Sequence, residues 1–272
     1  MQFVHLSIGE MAIRRESLVS VPRKSAKQDA ESLMAKHDFD VVPVCDDSSD
    51  LIINFWKREP DPGKIIRKAI RIEDLILAST PADHVLEHML KRQRKFFFVR
   101  THMKVTGLVT VSDFNDNPFR ISLFSRVAIL ETLLCKLIEK RLATEQIVQR
   151  IKGRQLNFMH ADKAKGFNHT PIHYLYLSDL LSLCLEKGIH RELGFASRSS
   201  FEKMNSLNDL RNQAAHTNRS ILHDYVDVQQ LTDRLFKLDD LSFRVRAVLH
   251  HECDIPLFEE AVKFPTGSLA SE

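Results

Sequence analysis

Three polar residues near the end of the chain have types and spacing that suit phosphate chemistry. Arg211, Asn212 and His216 lie in a stretch whose apolar and small residues recur at helical spacing: Met204, Leu207, Leu210 and Ala214. On a helix, residues four apart lie on one face, so Asn212 and His216 are predicted to be one turn apart. A guanidinium beside an amide and an imidazole can bind and act on a phosphate. The plainer interpretation is that all three are solvated or capping residues of a helix surface.

The stretch from Leu210 to His216, Leu-Arg-Asn-x-x-Ala-His, resembles the motif of the HEPN superfamily. That motif is an Arg, a gap of four to six residues and a His, often with Asn directly after the Arg. The resemblance implies a dimerising helical bundle over roughly the second half of the chain. Many members are metal-independent ribonucleases, and some have lost catalysis. By the resemblance, His216 is the base near a ribose 2′-OH, and Arg211 stabilises the pentavalent phosphate. Asn212 orients His216 or the scissile phosphate.

The first half of the chain reads as one α/β unit used twice. Each copy has an amphipathic helix followed by two short strands, and the second helix is opened by Ser79-Thr80-Pro81. An internal repeat of this length indicates a duplicated structural unit. The predicted elements are helices at 25–36 and after Pro81, and strands at 41–44, 51–53, 95–99 and 105–111. Residues 64–77, between the copies, are predicted to be helical.

The second copy carries a motif, Gly107-Leu-Val-Thr110-Val-Ser-Asp113, that resembles the Gly-x-x-Thr-x-x-Asp end of a CBS domain. Paired CBS domains commonly bind adenine nucleotides between their repeats, so the resemblance implies AMP, ADP, ATP or a similar regulatory ligand. It implies that Thr110 meets a phosphate, that Asp113 accepts the ribose hydroxyls, that Gly107 lets the ligand approach closely, and that Thr80 lines the site. The alternative is that Thr110 ends a strand and Asp113 caps the next helix. In the first copy, residues 52–56 stand where the motif would be, which puts a second nucleotide site in doubt.

The fold class predicted from these features is an α/β CBS-pair module followed by an all-α helical bundle. We expect the module at 1–122, a HEPN-like bundle at 123–264 and a disordered tail at 265–272. A long amphipathic helix over 119–141 is predicted to connect the two domains, a motif helix to run over 201–216, and a last helix over 225–251.

Composition bounds the class of protein. The chain has 272 residues, of which 43% are apolar, and a net charge of +3, which is too weak to imply nucleic-acid binding by itself. The basic run 91–95 is interpreted as a solvated helix end. The four cysteines lie far apart without a Cys-x-x-Cys pair, and no metal site is expected. With neither a signal segment nor a long apolar run, we expect a cytoplasmic protein that contacts no membrane.

Two functions of different class follow. The first is an enzyme: an adenine-nucleotide-regulated endoribonuclease without a catalytic cofactor, acting on RNA as a homodimer with a composite Arg/His site. The second is a non-catalytic dimeric nucleotide sensor whose helical domain relays ligand binding to a protein partner, and the lack of a marked basic patch in the sequence favours it. A bundle that neutralises or scaffolds a separate toxin or transferase stays open as a third hypothesis.

Overall fold

We describe a computed structural model of the chain, covering residues 6–46, 51–59 and 64–251. The predicted tail at 265–272 lies outside this range. The first part of the chain alternates short helices and strands: α1 Ile8–Met11, β1 Ile13–Arg14, β2 Val21–Pro22, α2 Lys27–His37, β3 Val41–Cys45, β4 Ile52–Arg58, β5 Ile65–Ala69, β6 Leu75–Leu77, α3 Ala82–Arg92, β7 Phe96–Thr101 and β8 Lys104–Thr110. A 3₁₀ turn, Val111–Asn115, follows β8.

The strands form two four-stranded sheets with the same pairing pattern, which confirms the predicted repeat. In the first, of order β2-β3-β4-β5, β2 runs parallel to β3 across the α2 crossover, and the other pairs are antiparallel. In the second, β6, β7 and β8 repeat this pattern around α3. The fourth place is taken by β1, which precedes the first repeat in sequence and pairs antiparallel with β8.

The prediction of a helix over 64–77 is wrong. This segment forms β5, a 3₁₀ turn at Ile72–Asp74 and β6, so it closes the first sheet and opens the second. Its apolar residues fit a helical or an extended spacing equally well. Antiparallel pairing with β4 over five residue pairs, and burial of Ile65, decide for the strand.

Aromatic side chains of the two sheets pack together in the core of the module. Phe55 of β4 meets Phe96 and Phe98 of β7, with ring centroids 5.6 and 5.3 Å apart. All three rings are buried, together with Val41, Ile52 and Leu108. Edge-on and tilted ring contacts at these distances stabilise beyond their apolar area, so this cluster fixes the two repeats against each other.

The rest of the described chain is helical: α4 Asn117–Arg141, α5 Thr144–Val148, α6 Arg154–Ala164, α7 Leu177–Glu186, α8 Ile189–Glu192, α9 Arg198–Glu202, α10 Ser206–Ala215 and α11 Asp227–His251. This confirms the predicted fold class, an α/β module of two repeats over residues of about 8–115 followed by a largely helical region. The motif helix differs in detail, because a 3₁₀ turn at Lys203–Asn205 separates α9 from α10.

Backbone contacts divide the described residues into two compact units. Unit 1 contains the α/β module up to Arg126 together with Asp209–Phe236, the segment that carries Arg211 and His216. Unit 2 contains Val127–Asn208 and the described residues from Lys237 onwards. The domain boundaries expected from sequence, at 122 and 264, remain a prediction.

Unit 2 is held by apolar helix faces and a few polar contacts. Leu180, Leu181, Leu183 and Cys184 of α7 are buried. The Gln155 amide donates to the Asp179 carboxylate at 2.6 Å, and Arg150 pairs with Glu186 at 3.1 Å. In the described ranges, no helix is long and apolar enough to cross a membrane.

Candidate functional site

The motif of the second repeat sits where β8 ends and the chain turns into the 3₁₀ segment. Phe96 and Thr110 are paired across the β7–β8 hairpin, so Thr110 is the last residue of the ladder. The Asp113 carboxylate accepts hydrogen bonds through Oδ2 from the Thr110 backbone N–H at 2.6 Å and from its hydroxyl at 2.9 Å. Thr110 Oγ1 also lies 2.7 Å from Ser112 Oγ. These contacts form a capping box at the start of the 3₁₀ turn, with Thr110 at the N-cap and Asp113 at the third position of the turn.

Asp113 is buried, with 4% of its surface exposed, and burial raises its pKa to about 6. The hydrogen bonds from Thr110 act in the opposite direction, and the neighbouring charge of Asp116 raises the pKa further. No hydrogen bond from a described residue reaches Oδ1. Only Oδ2 of the carboxylate therefore takes part in the cap. The buried group has an unfavourable desolvation energy when it is ionised.

The neighbouring strand β1 explains why residue 107 is a glycine. A Cβ built at this position would lie 2.7 Å from the carbonyl oxygen of Ile13 in β1, a distance that real Cβ atoms essentially never show. Gly107 pairs with Arg14 in the β1–β8 ladder. The missing side chain lets β1 approach β8 and complete the sheet.

Thr80 lies apart from the other three residues. Its backbone N–H donates to Leu77 and its carbonyl accepts from the N–H of Ile8, so it holds the turn before α3 against α1. Among the described residues it does not line the cleft next to Thr110. The structure therefore brings Gly107, Thr110 and Asp113 together and leaves Thr80 outside that group.

A cleft of about 340 Å³ opens beside Thr110, and we call it the motif cleft. The range for small-molecule sites is about 300–1,000 Å³. Thr110, Ser112 and Asn115 line one side, while Asp113 lies beneath the lining. Other lining residues come from the end of α2 and the start of β3, and from the loop after β1: Asp38, Phe39, Asp40, Val41, Pro43, Ser17, Leu18 and Val19.

A segment after the Arg/His motif also lines the motif cleft, from Leu222 to Tyr225. The Asn115 side chain holds it: Oδ1 accepts from the backbone N–H groups of Ile221 and Leu222 at 2.7 and 2.9 Å, and Nδ2 donates to the Leu222 carbonyl at 2.8 Å. The Tyr225 hydroxyl donates to the Met89 carbonyl at the end of α3. The partners of Asn115 lie more than a hundred residues away, so no local sequence pattern predicts these contacts.

Arg120, on the first turns of α4, fixes the chain around His216. Its guanidinium is buried and donates to the carbonyls of Asn115 at 2.6 Å, Gln213 at 2.7 Å and His216 at 3.2 Å, and also to the Arg219 carbonyl. The carbonyls of Gln213, His216 and Arg219 lie at and beyond the end of α10, where a helix leaves acceptors unsatisfied. No carboxylate in the described part of the chain pairs with Arg120.

The motif residues themselves lie at the end of α10. Arg211 and Asn212 are half-buried on the helix, and His216 is exposed one residue beyond it. The His216 N–H still donates to the Asn212 carbonyl at 3.2 Å, so the predicted one-turn relation holds along the backbone. Taken over the described ranges, no cluster of His, Cys, Asp and Glu is suited to a metal ion.

No protein-family model and no curated protein matches this chain. Solved structures similar to it include the CBS domain of a bacterial CNNM/CorC family Mg²⁺ transporter in complex with ATP, at 19% identity and a TM-score of 0.32, covering 39% of this chain and 82% of that chain. Another is CBSX2 in complex with AMP, at 16% identity and a TM-score of 0.33, covering 39% and 91%. A third is a hemolysin-like protein containing a CBS domain, of Oenococcus oeni PSU, at 20% identity and a TM-score of 0.34, covering 42% and 91%.

Proposed function

We propose that this protein is an adenine-nucleotide sensor that binds its ligand in the motif cleft. The observation that carries the proposal is the shared lining: Thr110 and Ser112 of the second repeat face the same cleft as Leu222–Tyr225, the segment that follows His216. A ligand in this cleft would contact the α/β module and the C-terminal segment at once. Adenine is the base that the resemblance of the Gly107–Asp113 motif to CBS domains implies.

The chemistry of the lining supports a nucleoside. Pro43, Phe39 and Val41 offer apolar surface for a base, and the Thr110 and Ser112 hydroxyls can donate or accept. We propose that Asp113 accepts a ribose hydroxyl through Oδ1, while Oδ2 keeps its cap contacts to Thr110. Gly107 serves this site indirectly, by letting β1 support the strand that ends at Thr110.

Ligand binding would affect Arg211 and His216 through the segment that the Asn115 side chain holds in place. Asn115 anchors Ile221 and Leu222, and Arg120 anchors the carbonyls around His216, so a ligand that shifts Leu222–Tyr225 also biases the position of His216. A ligand shifts such an equilibrium only through its different affinity for the two arrangements, typically about 1–3 kcal/mol.

Hydrogen exchange with and without AMP or ATP tests the sensor. We expect the ligand to protect the amides of residues 216–226 and of 110–115, and we expect Thr110→Val to weaken binding with little change in the fold. Lys104→Gln, an exposed change at the start of β8 that does not line the cleft, is the control. Absence of nucleotide binding in calorimetry, or binding without any change in protection at 216–226, would refute the sensor.

A second function, RNA cleavage, is favoured by the position of His216. Its side chain is exposed, its backbone is fixed by Arg120, and Arg211 lies on the preceding turn of α10. In this hypothesis His216 removes the proton from a ribose 2′-OH, and Arg211 stabilises the charge on the pentavalent phosphate. Asn212 orients His216 or the scissile phosphate. The product carries a cyclic phosphate and no metal takes part. Because each chain supplies one motif, a two-fold homodimer with a HEPN-like bundle would present two.

Labelled RNA incubated with the purified protein and EDTA separates the two functions. Cleavage that disappears in His216→Ala, while AMP binding is unchanged, supports the ribonuclease. Cleavage that survives in His216→Ala assigns the activity to a contaminant. If RNA stays intact while nucleotide binds, the protein is a sensor that acts through a protein partner, which includes the hypothesis of a neutralised toxin or transferase. Sedimentation tests the homodimer, since a monomer has a mass of 31.4 kDa.

A further inference from the structure

A second cleft, formed by the first repeat and the end of α3, is lined mainly by cations. We call it the basic cleft. Its volume is about 840 Å³, and its floor contains Phe55 and Phe96. The lining comes from β4, from β5 and the turn after it, and from the end of α3, so its positive charges are scattered in sequence. The basic residues that line it are Lys57, Arg58, Arg67, Lys68, Arg71, Arg92, Arg94 and Lys95, against the acids Asp40, Glu59, Glu73 and Asp74.

The strand register shows what replaces the CBS-like motif in the first repeat. Val41 pairs with Lys57 at the start of the β3–β4 hairpin, just as Phe96 pairs with Thr110 in the β7–β8 hairpin. The sequence analysis placed residues 52–56 at the motif, but the register puts Lys57 in the position of Thr110. A cation therefore stands in the first repeat where the second repeat has a hydroxyl.

Contacts within the cleft neutralise only part of its charge. Arg94 binds both Asp74 and Glu73, Lys68 lies 3.4 Å from Glu59, and Lys95 lies 4.0 Å from Asp40. Two further cations are directed elsewhere: Arg58 pairs with Asp38 and donates to the Met34 carbonyl, and Arg67 lies over the Trp56 ring.

Four cations of the basic cleft lack a carboxylate partner among the described residues: Arg67, which lies over Trp56, and also Lys57, Arg71 and Arg92. Arg92 donates to the Glu73 carbonyl at 3.0 Å. The side chains of Lys57 and Arg71 make no hydrogen bond or ion pair to a described residue, and both line the cleft. Clustered cations repel one another, so such an arrangement is stabilised by an anion that binds several of them together.

The two clefts meet at a shared wall. Asp40, Lys95 and Phe96 line both the basic cleft and the motif cleft. The Lys95–Asp40 pair in this wall is long and more than half exposed, so it is a weak contact that a phosphate can replace. A ligand in the motif cleft and an anion in the basic cleft would therefore both lie against Lys95.

We propose that the basic cleft binds a chain of three or more phosphates. Guanidinium and ammonium groups are the protein groups that bind phosphate oxygens, and here they converge on one bounded cleft of small-molecule size. A bounded cleft suits a compact polyphosphate better than a long nucleic acid, which would need a stripe of charge. The same chemistry has two sources, a free inorganic polyphosphate and the tail of a nucleoside triphosphate. The second source rests on the proposed nucleotide function, and the first does not.

Calorimetry with inorganic tripolyphosphate, ATP and AMP tests the proposal on the full chain. The variant is Lys57→Gln combined with Arg71→Gln, which removes the two cations without partners and breaks no described contact. The matched control is Lys36→Gln combined with Lys104→Gln, which removes the same charge from exposed positions outside both clefts. We expect the cleft variant to bind tripolyphosphate at least tenfold more weakly than the wild type, and the control to stay within twofold.

The measurements with ATP and AMP distinguish a free polyphosphate from the tail of a nucleoside triphosphate. If the cleft receives a nucleotide tail, the cleft variant loses at least tenfold in ATP affinity and less than twofold in AMP affinity. If it receives a free polyphosphate, tripolyphosphate binding falls while both nucleotides bind as before. Three results would overturn the proposal: no tripolyphosphate binding to the wild type, equal losses in the cleft and control variants, or tighter binding of a single-stranded RNA oligonucleotide than of tripolyphosphate at equal phosphate concentration.

Discussion

In the proposed sensor, the buried carboxyl of Asp113 should make nucleotide affinity depend on pH. Its pKa in the free protein is raised to about 6 by burial. An ionised carboxyl accepts a ribose hydroxyl more strongly than a protonated one, so ligand binding favours the ionised form and lowers its pKa. The free protein must then release a proton before it can bind tightly at acid pH. Affinity should therefore fall as the pH falls through about 6.

The size of the effect follows from the ionised fraction. With a pKa of about 6, roughly nine tenths of the carboxyl is ionised at about pH 7 and roughly one tenth at about pH 5. Binding should weaken roughly tenfold between these values, about 1.4 kcal/mol, provided that the bound carboxyl stays ionised. Near the lower pH, close to one proton is released for each ligand bound. Calorimetry in two buffers of different ionisation enthalpy measures that release directly.

Asp113→Asn is the matched variant for this measurement. Its amide oxygen can still accept from the Thr110 backbone and hydroxyl, so the cap is kept while the titrating group is removed. Phosphates of the ligand also titrate near neutral pH, so the informative quantity is the difference between wild type and variant for one ligand, and adenosine serves as a ligand without phosphate. Equal pH profiles in the two proteins would mean that Asp113 is only a cap and that the ribose assignment is wrong.

The same group gives an independent stability signal. The folded-state pKa lies above the ordinary value of 3.8, so the protonated carboxyl favours the folded state. This contribution is present below about pH 4 and is lost as the pH rises through about 6, with an upper size of about 3 kcal/mol. Chemical unfolding across this window should show the slope in the wild type and lose it in Asp113→Asn. A slope that persists in the variant would assign the effect to other groups.

Further predictions concern the residues that hold the site. Gly107→Ala should destabilise unit 1 by about 1–3 kcal/mol, because the new Cβ meets the β1 backbone; an unchanged urea midpoint would contradict this. Arg120→Met should cost about 2–4 kcal/mol, since it removes the buried guanidinium that donates to several backbone carbonyls, and Arg120→Lys should recover part of it. Asn115→Ala should raise hydrogen exchange at 221–226 and weaken nucleotide binding, whereas an unchanged exchange pattern would mean that Asn115 does not hold this segment in place.

The parts of the fold that could be predicted from sequence are those with local signals. The run Phe96–Val99 and the turn before Lys104 mark a buried hairpin, and the repeat follows from similar runs near Val41. The segment 64–77 was assigned wrongly because its apolar spacing suits a helix and a strand alike, and only pairing with β4 decides between them.

The site was less predictable because its contacts span the chain. The Gly107–Asp113 motif is visible in the sequence, but the burial of Asp113 and the cap at Thr110 depend on the packed sheet. Asn115 and Arg120 carry no motif, since their partners lie beyond residue 212. The basic cleft could not be predicted from the sequence because three separate segments contribute its charges. The run 91–95 looks like an ordinary helix end until the sheet brings Lys57 beside it.

The position of β1 has a consequence for how the protein is made. Ile13 is synthesised before the first repeat, whereas its partner Leu108 lies in β8, the last strand of the second repeat. The first sheet can close while translation continues, but the second cannot close until β8 has left the ribosome. During that interval β1 lacks its partner β8, and pairing over so long a sequence separation is intrinsically slow. The glycine at 107 keeps open the place to which that early strand returns.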